Sequence, residues 1–231
     1  MATNYSPRVV TDGLVMCLDA GNQKSYSGSG TAWNDLSFTG NNATLVNGPT
    51  YSGANGGAIT TDTVDDYISV NNSSSLQLTT GFTVGMWVKF NNAIGVSYKN
   101  LIGKPTYTKY GIIIEWYGNN PLLPDFISTG GARNTGPGLL YPSLTNWNYV
   151  VHSYDKNGGA NNQRFHVWHS GTYTSAYATP GALNIETSTD PLYIGGAGAG
   201  LTISCVWVYN RGITNNEVLQ NYNATRSRFG L

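Results

Sequence analysis

The chain has 231 residues, enough for one large β domain or two small ones. Only 10% of them are charged, and Lys+Arg balance Asp+Glu at 12 each, so no net field draws the protein to nucleic acid or to an anionic membrane. Aromatic residues at 12% exclude disorder, and the polarity comes from Asn, Ser, Thr and 29 Gly, residues of turns and strand surfaces rather than of helices.

The opening Met1-Ala2-Thr3-Asn4-Tyr5 lacks a basic region followed by an apolar one, so no signal peptide is expected and synthesis falls in a reducing cytoplasm. No apolar run approaches the ~20 residues of a membrane span. Period-two alternation predicts strands over 14–18, 67–70, 82–90, 112–117, 147–154, 164–169, 192–194 and 203–209. In the third of these, Phe82, Val84, Met86, Val88 and Phe90 share one face, the pattern of a half-buried strand. Asn47-Gly48-Pro49, Asn157-Gly158-Gly159, Ser170-Gly171 and Gly195-Gly196 punctuate the strands as turns. Thr214-Asn215-Asn216-Glu217 is a capping box that starts one short helix, with Val218, Leu219 and Tyr222 as its apolar face. The tail Arg226-Ser227-Arg228-Phe229 reads first as a solvated terminus and second as a basic contact. About a dozen short strands with one helix imply an all-β sandwich or jelly roll of two antiparallel sheets, one domain over 1–231.

Four segments carry a resemblance. Phe82-Thr83-Val84-Gly85-Met86-Trp87-Val88, Trp147-Asn148-Tyr149-Val150-Val151-His152-Ser153-Tyr154-Asp155, the hairpin Phe165-His166-Val167-Trp168-His169-Ser170-Gly171 and Leu192-Tyr193-Ile194-Gly195-Gly196 with Val206-Trp207-Val208-Tyr209-Asn210-Arg211 resemble, in their order and spacing, concanavalin A-like jelly rolls of the laminin-G and pentraxin type. A narrower likeness covers Leu18-Asp19-Ala20-Gly21-Asn22, Trp33-Asn34-Asp35-Leu36-Ser37, Val64-Asp65-Asp66-Tyr67 and residues 217–230, which resemble lectin-like virion proteins of tailed phages, cyanophages among them. That resemblance implies a non-enzymatic protein of the virion surface, a capsid decoration or a tail or fibre component, with other virion proteins as partners. The alternative is an adhesin that recognises carbohydrate on the host surface.

Glycosidases need two carboxylates at fixed separation, and this chain offers three Glu far apart in sequence: Glu115 on a strand, Glu186 in a loop and Glu217 in the cap. Hydrolase or lyase activity is therefore the remote reading. Relatives of the pentraxin type hold calcium, but Tyr110-Gly111 and the run Gly196-Ala197-Gly198-Ala199-Gly200 replace the acidic residues that would ligate it. Asp62, Asp65 and Asp66 are the densest acidic cluster, with a capped turn as the simpler reading. His166 and His169, three apart on a strand, point to opposite faces, so neither a metal nor any other cofactor is expected. Cys17 and Cys205 lie on the first and last strands, which pair in this fold class; two free, packed thiols are expected in a reducing compartment. A sugar site needs an exposed aromatic platform beside amides, and the central strand with its loops supplies Tyr98, Tyr107, Tyr110, Trp116, Tyr117, Asn119, Asn120 and Arg133. The nearly uncharged surface suits self-association, with a trimer favoured and Arg226, Arg228 and Phe229 as attachment contacts.

Overall fold

A computed structural model describes residues 8–91, 98–104, 112–117, 123–136, 146–158, 165–170, 172–177, 182–196 and 198–231, with side chains except at 98–99, 112–117, 123–125, 165 and 173–177. Its strands are β1 (Leu14–Asp19), β2 (Ala32–Trp33), β3 (Ala43–Val46), β4 (Thr50–Ser52), β5 (Ala58–Thr60), β6 (Tyr67–Val70), β7 (Gly81–Phe90) and β8 (Tyr98–Gly103). They continue as β9 (Ile112–Tyr117), β10 (Leu123–Ile127), β11 (Arg133–Thr135), β12 (Asn148–Asp155), β13 (Phe165–His169), β14 (Thr172–Tyr177), β15 (Leu192–Gly196) and β16 (Leu201–Tyr209). Helix α1 (Asn215–Thr225) and a 3-10 turn (Arg226–Phe229) follow.

The strands form two antiparallel sheets stacked as a sandwich, with 42% of residues in strands. The first runs β14-β13-β12-β7-β16-β5-β4, with β1 on the same edge of β16 as β5; the second runs β11-β10-β9-β8-β15-β6-β3-β2. Between them lie Phe82, Val84, Met86, Val88 and Phe90 with Val150, Tyr154, Val206 and Val208, facing Ile68, Val70, Ile102, Phe126 and Ile194. A register shift between Ile203 and Cys205 changes the phase of β16, so that both Ile203 and Val206 face inward.

The expectation that β7 is half-buried is corrected. All but one of its ten residues are buried, because the first sheet has a second apolar layer on its outer face: Trp87, Tyr149, Val151, Trp168, Trp207 and Tyr209 lie under α1 and the 3-10 turn. Side-chain alternation still holds, but both faces are covered. Gly195-Gly196, read as a turn, instead closes β15, and the bend follows it.

Helix α1 sits on that outer layer through Val218, Tyr222, Asn221 and Thr225; Leu219, expected on its apolar face, is 45% exposed. The seam at 218, 221, 222 and 225 is the 3–4 spacing of one face, and 219 falls off it. Its buried polar members are satisfied. Asn221 Oδ1 accepts from the Val10 amide at 2.8 Å and its Nδ2 donates to Tyr209 Oη at 2.9 Å. Trp87 Nε1 donates to Thr225 Oγ1 at 2.8 Å.

The capping box is present. The Glu217 amide donates to Thr214 Oγ1, the Thr214 amide donates to Glu217 Oε2 at 2.7 Å, and Arg211 pairs with Glu217 at 2.6 Å. The Arg211 contact and these donors hold the Glu217 carboxyl down at about 2. Thr214→Ala should cost about 1 kcal/mol, a fall of roughly 2–4 °C in Tm by calorimetry; an unchanged Tm would show that Arg211 alone fixes the helix start.

Strands β1 and β16 pair, with Cys17 opposite Trp207 and Asp19 opposite Cys205. The cysteines are therefore diagonal neighbours, and both are free. Burial, with Asp19 and Asp35 nearby, pushes the Cys17 thiol up to about 12, and burial raises Cys205 as well, so both are inert thiols at neutral pH.

Candidate functional site

The C-terminal segment shapes one side of a hollow on the outer face of the first sheet. After α1 the 3-10 turn folds back over the first sheet, which corrects the reading of a solvated tail. Phe229 stacks on Trp87 at 4.1 Å between ring centroids and meets Trp147 at 4.7 Å; Tyr222 stacks on Trp87 at 5.8 Å. Arg228 donates to Asp19 Oδ2 at 3.0 Å and to the Gly56 carbonyl at 2.9 Å, and it sits 3.2 Å from Cys205 Sγ. Arg228 and Phe229 are thus engaged by their own chain, while Arg226 is exposed.

Between this tail and the start of β12 lies a groove of about 440 Å³. Trp147, Tyr222 and Phe229 form its aromatic wall, and Asn55, Asn146, Asn148, His169 and Lys89 supply polar groups. Asn148 Nδ2 donates to the carbonyls of Asn146 (3.0 Å) and Val88 (3.4 Å), which turns Oδ1 toward His169 Nε2 at 3.0 Å. The hydrogen on that bond therefore belongs to Nε2, and Nδ1 is left as an acceptor. Burial lowers the His169 pKa, keeping the ring neutral at pH 7. Trp147 Nε1 is buried without a hydrogen-bond partner. Aromatic faces that meet the C–H side of a pyranose, next to planar amides that meet its hydroxyls, are the two elements a sugar site requires.

The residues proposed from the sequence are described only in part. Tyr98, Trp116 and Tyr117 lie on β8 and β9 of the second sheet, where the register sets Tyr98 opposite Tyr117 and Lys99 opposite Trp116; their side chains are outside the described set. Tyr107, Tyr110, Asn119 and Asn120 lie outside the described residues. Arg133 is exposed on the edge strand β11, paired with Ile127, two strands away from β9. Arg133, the one among them whose side chain is described, does not line the groove. The signal that could have found it was Trp147 between two asparagines at the start of a strand.

Other polar clusters are occupied by the fold. Asp62, Asp65 and Asp66 place carboxylate oxygens within 4.8 Å of one another. Asp62 Oδ1 accepts from the amides of Val64, Asp65 and Asp66, and Asp66 Oδ2 accepts from the Asp62 amide, so the cluster caps the turn leading into β6. Those backbone donors lower the Asp62 pKa. His166 stacks on Trp168 at 5.6 Å beside a smaller hollow of about 180 Å³, apart from His169.

Sandwich and groove together define a lectin-like β-sandwich. A profile of the concanavalin A-like lectin/glucanases superfamily matches residues 62–219, more than half of the chain, and the chain belongs to that superfamily. The binding domain of botulinum neurotoxin DC in complex with SialylT is similar in structure, with a TM-score of 0.74 at 9% identity over 93% of this chain. The binding domain of Paraclostridial mosquitocidal protein 1 gives 0.72 at 14% over 92%, and a botulinum neurotoxin type C structure gives 0.74 at 9% over 94%. This chain spans 52% of each of those three. Such low identity speaks for the fold alone. Comparison with curated protein sequences finds no match. Among the described residues, no helix is long and apolar enough to cross a membrane.

Proposed function

We propose that this chain is a non-catalytic, lectin-like module that holds carbohydrate in the groove between β12 and the C-terminal tail, and that it works on the surface of a virus particle. The observation that carries the binding reading is a groove lined by the half-buried rings of Tyr222 and Phe229 together with the exposed Asn146 and with His169. Two structural neighbours point the same way: one is in complex with SialylT, and another enters cells through interaction with two ganglioside molecules. Both are about twice as long as this chain, so they lend support to the sugar class only.

Hydrolysis is not part of the proposal. No acidic side chain lines the groove among the described residues, and Glu217 is held by Thr214 and Arg211. The virion placement rests on the N-terminal and C-terminal likeness to phage proteins. The Arg228 and Phe229 side chains pack on their own sheet, which favours the exposed Arg226 as the attachment contact of a homo-oligomer.

Asn146 is exposed at the groove, and a far-UV spectrum and Tm at the parental values are the control for its replacement. Titration of an oligosaccharide panel should find a ligand whose affinity falls about tenfold in Asn146→Ala, the loss of one well-placed polar contact. Absence of any ligand across the panel would reject the binding reading. Mass spectrometry of purified particles should find the chain in the virion, and its absence there would reject the placement.

A further inference from the structure

We infer that the groove selects an acidic sugar, a sialic or uronic acid residue whose carboxylate meets the Lys89 ammonium. The inference rests on the carbohydrate reading above and narrows it to a ligand class. Lys89 is the one residue of β7 that is not fully buried, and strand alternation sends it to the same outer face as Trp87. Its ammonium lies 5.2 Å from the Trp147 ring centroid and, among the described residues, makes no hydrogen bond or ion pair. Other cations on this face are treated differently: Arg211 pairs with Asp12 and Glu217, and Arg228 pairs with Asp19.

The groove holds this ammonium over an indole with no acidic side chain among its described lining residues. Outside the groove lining, the exposed Arg226 guanidinium lies 5.7 Å from the Tyr222 ring. A cation–π contact places the charge without neutralising it. An anion that arrives with an apolar ring face satisfies both features at once: the ring packs against the half-buried Tyr222 and Phe229 rings and the carboxylate takes a charge-assisted bond from Lys89. A neutral sugar gains only the stacking and amide bonds.

The test compares matched pairs: 3′-sialyllactose against lactose, and a glucuronate-terminated disaccharide against its reduced, uncharged counterpart. The acidic member of at least one pair should bind about tenfold or more tightly, with affinity that weakens as salt rises from about 0.05 to 0.5 M. Lys89→Gln should remove that preference and Lys89→Arg should restore most of it, with the far-UV spectrum and Tm unchanged in both variants. Equal affinity within both pairs would overturn the inference and leave the carbohydrate reading standing. Binding of a sulfated but no carboxylated sugar would overturn the carboxylate assignment. Failure of every sugar, charged or neutral, would overturn the carbohydrate reading itself.

Discussion

Lowering the pH from 6.5 to 4.5 is expected to cost the folded protein roughly 2 kcal/mol through one imidazole, that of His152. His152 lies on β12 between Val84 of β7 and Val167 of β13, fully buried, with neither ring nitrogen hydrogen-bonded. Burial lowers its pKa from 6.5 to about 3, so the native ring stays neutral where the unfolded ring has taken a proton. The folded pKa is the lower one. Stability is therefore complete above pH 6.5 and is lost as pH falls, by about 1.4 kcal/mol per unit, until the native ring also protonates near pH 3.

His169, also lowered by burial, adds in the same direction, whereas the Glu217 carboxylate acts further down, between its ordinary value of 4.5 and about 2. Urea midpoints at pH 7.0, 5.5 and 4.5 separate these contributions. His152→Leu should flatten most of the slope and match or exceed the parent at pH 7, because it removes two unpartnered polar atoms from the core. A variant with the parental slope would show that His152 finds a partner on protonation.

Removal of residues 226–231 should lower stability by about 4 kcal/mol and Tm by roughly 10 °C. Burial of the Phe229 ring accounts for ~1.5–3 kcal/mol. Its two ring contacts with Trp87 and Trp147 add ~0.5–1.5 kcal/mol each. The partly exposed Arg228–Asp19 pair contributes little beside these. Light scattering on the same truncation distinguishes a strap from a subunit contact. A lower Tm at unchanged mass is expected; a lower mass with unchanged Tm would return the tail to the role of an assembly contact.

The strands that alternation revealed are those with a large apolar residue at every second position: β7, β12 and β16 were legible because their inner faces fill the core. The strands missed are short or polar. Thr50-Tyr51-Ser52 of β4 is exposed throughout, and Arg133-Asn134-Thr135 of β11 buries only its middle residue. Such edges are held by their neighbours' backbone bonds, which leave no hydrophobic signature. The second layer over the first sheet was hidden for a different reason. Trp87, Tyr149 and Trp207 sit at positions where alternation assigns solvent, and only the fold brings α1 and Phe229 over them.

The groove was illegible on the same ground. Lys89, Trp147 and Phe229 belong to three segments joined only by topology, whereas the residues chosen from the sequence clustered along β9 because closeness in the chain was the only proximity available. The capping box and the capped Asp62 turn were legible because both act within four residues.

Strand β16 is the partner of β1 on one edge and of β7 on the other. During translation at ~5–20 residues per second, β1 therefore waits roughly 10–40 s for the strand it must pair with. The helix that seals the aromatic layer emerges later still. The sandwich closes only after nearly the whole chain has left the ribosome, through contacts of very long sequence separation, and it does so slowly. A nascent chain stalled before residue 201 leaves β1, β5 and β7 with open edges beside an uncovered band of tryptophan and tyrosine, a species that aggregates rather than persisting as a smaller sandwich.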